Sequence, residues 1–126
     1  MLKLRKEHLA AFEAHVVSLF IARVSTHVKE VWPAECEDMG DATLKEIVRN
    51  AIQRGSALGL STEHDLVRYV DLSFALARDF ETSPLAMWTR PILADRSLVP
   101  RMKLERLYQR MHEEFALIEK RKAVKV

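Results

Sequence analysis

The residues of this chain that could do chemistry are its histidines, one cysteine and a row of charges on one helix. Their spacing decides against most reactions. A di-metal centre in a helical bundle needs a Glu-x-x-His pair from each of two helices, yet no Glu here is followed three residues later by His. His27 and Glu30 give the reversed spacing once, and a boundary histidine hydrogen-bonded at the surface explains it. HEXXH and paired cysteines are missing, which argues against zinc. Cys36 stands in Glu35-Cys36-Glu37-Asp38. Three carboxylates raise a thiol pKa and make the nucleophilic thiolate scarcer. There is no Gly-rich phosphate loop and no G-x-S-x-G elbow, so we expect no enzyme, no metal and no cofactor.

What remains is recognition chemistry. Around Gly59 to Pro84 a dense apolar stripe is bordered by charges. At 100° per residue, Asp71 and Arg78 lie about two turns apart along one margin of the stripe, with Arg68 and Asp79 on the outer face. They form either a laced helix surface, in which each pair contributes a few tenths of a kcal/mol, or a cluster that fixes helix docking or meets a partner. Trp and Tyr dominate binding hot spots. Tyr69 and Tyr108 sit at core spacing, whereas Trp32 and Trp88 stand near prolines at helix ends. Trp32, Arg68, Asp71, Arg78 and Trp88 are therefore the candidate partner-binding residues.

The elements that must position them are helices. From Glu7 to Trp32, Leu9, Phe12, Val16, Leu19, Phe20, Val24, Val28 and Val31 recur at three- and four-residue steps, one face of a helix about 40 Å long. Trp32-Pro33 ends it. A second helix begins near Asp41, with Thr43 and Glu46 spaced as a capping box, and buries Leu44, Ile47, Val48, Ala51, Ile52 and Leu58. Gly59 suits its C′ position. Ser61 or Thr62 caps the third helix, whose arc of Leu66, Tyr69, Val70, Ser73, Phe74, Ala77 and Phe80 is flanked by Val67, Leu72 and Leu76. Its width implies a central place. Ser83-Pro84 starts a short helix that Pro91 kinks or ends, Asp95-Arg96-Ser97 is a loop, and a last helix runs from Val99 or Pro100 to Lys120. The expected fold is all-α: a compact bundle of four to five helices in a single domain over residues 1–126.

Composition agrees. The chain has 126 residues, 48% hydrophobic and 30% charged, with three Gly and four Pro: one helical domain with a real core. A net charge of +2 is too small to indicate nucleic acid. Lys3, Arg5 and Lys6 at one end and Lys120, Arg121, Lys122 and Lys125 at the other read as solvated tails. A lone cysteine fits a reducing cytosol. The apolar run of the first helix is interrupted by Glu13, His15 and Arg23, so it reads as amphipathic rather than as a signal or a span.

The segments RVSTHVKEVWPAECEDMG and IQRGSALGLSTEHDLVRYVDLSFALARDF, followed by a Trp and KLERLYQR, resemble a family of small helical proteins from type VI secretion gene clusters. The likeness covers about Phe20 to Arg110 and consists of packing and capping patterns. It implies a cytoplasmic, non-enzymatic accessory, an adaptor or chaperone binding a larger effector or spike protein. It supplies no catalytic residues. An immunity protein that occludes a toxin is the alternative within the same class. Nucleic-acid binding through the basic termini is the alternative outside it, with a homodimer left open.

Overall fold

The computed structural model describes the backbone of residues 6–76 and 87–124, and side chains over 13–76 and 87–117. Among these the protein is all-α: α1 (Lys6–Val31), α2 (Pro33–Cys36), α3 (Asp41–Ala57), α4 (Glu63–Leu76), α5 (Thr89–Ala94) and α6 (Pro100–Val124), with no strand. None of these helices is long and apolar enough to cross a membrane. Two compact units can be distinguished, residues 1–50 and 51–126.

In the first unit, α1 buries Phe20, Ile21, Val24, Ser25 and Val28. The Ser25 hydroxyl is satisfied inside the helix, donating to the Ile21 carbonyl at 2.7 Å. Trp32 leaves the helical region (φ −122°, ψ 55°) because Pro33 follows, and Pro33 opens the short α2 at its first position. An exposed ion pair between Lys29 and Asp41 joins the end of α1 to the start of α3, where Leu44 and Val48 are buried. Two expectations change. Val16, Leu19 and Val31 of the α1 stripe are exposed, and Ile21 is buried in their place. The covered face is set by what packs on the second half of the helix, and periodicity is blind to that. The Thr43–Glu46 box does not form. Gly40 already accepts the first bond of α3, from Leu44 N–H at 3.0 Å, so Thr43 lies inside the helix and Glu46 instead accepts from Arg49 at 2.7 Å.

The second unit is built on helix ends. Gly59 takes φ +96°. Its N–H reaches the Ser56 carbonyl at 2.9 Å, and Leu60 N–H reaches the Gly55 carbonyl at 3.1 Å. That double closure is a Schellman cap, which only glycine enters without strain. Thr62 caps α4, its hydroxyl accepting from Asp65 N–H at 3.1 Å. Gly55 lets α4 approach α3, since a Cβ there would come within 3.1 Å of Leu66 and of the Tyr69 ring. Around Tyr69 the core gathers Leu60, Leu72, Leu104, Leu107 and Met111. Leu72, expected on a flank, is wholly buried and Phe74 only half-buried, because the core shared with Leu104, Leu107 and Met111 of α6 extends from Tyr69 onto the Leu72 flank. Pro91 does not break α5; it is the third residue of that helix, in the first turn, where no N–H is required. Ser97 N–H and hydroxyl both donate to Asp95 Oδ1, at 2.9 and 2.6 Å, closing the expected loop. Ala77, Phe80, Ser83 and Pro84 lie outside the described residues.

Candidate partner-binding site

Two charged rungs and a tyrosine join α4 to α6. Arg101 Nε donates to Asp65 Oδ2 at 3.1 Å, and Arg68 Nη1 to Glu105 Oε1 at 2.5 Å. The Tyr108 hydroxyl donates to the Arg68 carbonyl at 2.5 Å, while its ring lies 4.8 Å under the Arg68 guanidinium. The partners advance together along both helices, 65 to 68 against 101 to 108, so α4 and α6 run parallel here. Their positive N-terminal ends therefore lie on the same side of the unit.

Asp65 is the anion that belongs between those ends. It is buried. Burial works to raise its pKa, but the Arg101 hydrogen bond, the adjacent Thr62 hydroxyl and the charges of Arg101 and His64 outweigh burial and hold the carboxyl below its ordinary value. Glu105 is held low by the Arg68 hydrogen bond and charge, and Arg68 is raised in turn, chiefly by its bond to Glu105. Desolvation, and then Asp71, push the Tyr108 phenol up to about 12. The Arg68–Glu105–Tyr108 group is charged or neutral as its docking role requires and does not titrate near neutrality.

Where the two N-termini meet, Gly59, Leu60, Ser61 and Thr62 face Val99, Pro100 and Arg101 across an open depression of about 340 Å³, with Asp65 in its lining. Val99 is 60% exposed, and the Arg101 side chain is 62% exposed although its Nε is engaged. The notch offers apolar contact beside a guanidinium edge. It offers no nucleophile–base pair, since no His or Cys lines it and a carboxylate held at lowered pKa is a weak base.

The sequence-derived candidates distribute as follows. Arg68, read from the helical period as outward-facing, is only 25% exposed because Glu105 and Tyr108 of α6 cover it. Asp71 is half-buried on the same helix, close enough to act on Tyr108. Trp88 precedes α5, half-buried against the Tyr69 core. Trp32 is half-buried between α1 and α2 in the first unit. Arg78 lies outside the described residues. Val99 and Arg101 escaped the sequence reading. Their signal was indirect: a C′ glycine and an N1 proline mark two helix ends, but nothing in the chain says that those ends adjoin.

Cys36 is half-buried, its Sγ 4.0 Å from the Val28 carbonyl, a weak contact with the preceding helix. No group of three His, Cys, Asp or Glu side chains among the described residues is placed to hold a metal ion. The chain matches no family model, no curated protein and no solved structure.

Proposed function

We propose that this chain is a protein-binding accessory, an adaptor or chaperone that engages a secreted effector or spike protein of a type VI secretion system in the cytoplasm. The notch between the N-termini of α4 and α6 carries the reading. Val99 and Pro100 suit an apolar side chain, and the outer edge of Arg101 suits a carboxylate or amide beside it. A short apolar–acidic segment of a larger protein meets both, by the helix-to-groove mode in which a few anchors give affinity. The likeness of the capping and core segments to type VI accessory proteins supports the class of partner.

The experiment is affinity capture from the host with the tagged full chain, comparing the native protein with Val99→Glu and Trp88→Ala. One large secreted-type protein should be recovered near stoichiometrically, and Val99→Glu should lower its recovery about tenfold, the effect of roughly 1.4 kcal/mol. Recovery of nucleic acid alone, or a protein partner indifferent to both substitutions, contradicts the reading. If the captured protein is a toxin and co-expression protects cells from it, the immunity form of the same binding role replaces the adaptor form.

A further inference from the structure

The first described side chains of α1 are exposed on every side. Glu13 through Leu19, seven consecutive residues and nearly two turns, include no covered position. Val16 and Leu19 are 44% and 51% exposed. At 100° per residue they lie more than about 100° round the helix from the centre of the face that buries Phe20, Ile21, Val24, Ser25 and Val28. α1 thus has two apolar faces, one serving its own unit and one left over. Val16 and Val17 are poor helix formers, and a helical stretch without tertiary cover is marginal in water. Something that covers this face contributes to holding it helical.

The charges identify the occupant. Arg23 continues the Val16–Leu19 face one turn further and is exposed, its guanidinium 5.8 Å over the Phe20 ring. A two-fold contact requires a patch complementary to itself. If two such helices run antiparallel with Val16 of one against Leu19 of the other, Glu13 of each copy comes within one residue of level with Arg23 of the other. A parallel pair would set Glu13 against Glu13 and Arg23 against Arg23. We infer that α1 is a self-association helix, pairing antiparallel with α1 of a second copy across Val16 and Leu19, with Glu13 opposite Arg23 at both ends. The contact is confined to one short helical face, below the roughly 1,200 Å² of a standard interface, so the dimer is weak and concentration-dependent. This surface lies on the first unit and is independent of the notch proposed for the partner.

Sedimentation velocity of the full chain from micromolar to near-millimolar concentration tests it. The native protein should pass from monomer to dimer, and Leu19→Asp should stay monomeric throughout while keeping its helical circular dichroism. Glu13→Arg and Arg23→Glu should each weaken the dimer about two- to fivefold, the range of an exposed ion pair, and the double reversal in one chain should restore it. A native protein that is monomeric at every concentration, an assembly larger than a dimer, a dimer unmoved by Leu19→Asp, or a double reversal without rescue each overturns the inference.

Discussion

α1 and α4 both carry apolar stripes, yet they are used differently. In α4, Tyr69, Val70, Leu72 and Ser73 are buried, and the helix is closed in by α3 at Gly55 and by α6 along its charged rungs. Among the described side chains of α1 burial begins at Phe20, and Val16, Val17 and Leu19 remain at the surface. A stripe shows that a helix has an apolar face. Whether the chain itself covers that face depends on where other elements end. Around α4 three helix ends are specified by Gly59, Thr62 and Pro100, and they bring the covering elements into place. Residues 13–19 of α1 have no such covering neighbour among the described residues.

The largest effect should come from the closed region. Leu72→Ala and Leu104→Ala, each at a fully buried site, should cost about 2–5 kcal/mol in denaturant unfolding. A loss below 1 kcal/mol would mean that α4 is not enclosed as described. Next is Gly59→Ala. It forces a side chain into φ +96° and brings a Cβ to 2.8 Å from the Pro100 ring, for about 1–3 kcal/mol by strain alone. A neutral result would mean that the α3 cap and the start of α6 do not meet. Thr62→Ala removes the cap of α4 and should cost about 1 kcal/mol.

Acid stability probes the same end of the helix. Asp65 has a lowered pKa in the fold, so its stabilising contribution is complete above the ordinary aspartate value of 3.8. That contribution is lost as pH falls below this value, through the folded-state pKa. Asp65→Asn should flatten that part of the acid limb in thermal melts taken between pH 5 and pH 2. An unchanged limb would remove Asp65 from the pairing of the two N-termini. The smallest effect belongs to the open region: Leu19→Ser should alter monomer stability by less than about 0.5 kcal/mol, and a larger loss in dilute solution would show that α1 is covered within its own chain.

The elements were legible because their punctuation is local. Pro33, Gly59, Thr62 and Pro100 act on the backbone of their own neighbours, and each ends or begins a helix where its chemistry requires. The candidate site was not legible to the same degree, because it is made by distant pairs. Arg68 meets Glu105, 37 residues away, and Asp65 meets Arg101 at a separation of 36. Helical period placed Arg68 on an outer face, and only the parallel course of α6 turns it inward. Pro91 misled for a related reason: proline breaks a helix interior but is harmless in a first turn, and the start of α5 has no strong capping residue to mark it.

Hydrogen exchange at two protein concentrations tests the contrast between the helices most directly. Amides of residues 69–72 and 104–107 should exchange only by global opening, with equal protection in dilute and concentrated samples. Amides of residues 13–19 should exchange fast when dilute and gain protection as concentration rises. If residues 13–19 are protected equally at both concentrations, or residues 69–72 exchange as fast as they do, the division into one self-covered helix and one that waits for a partner is wrong.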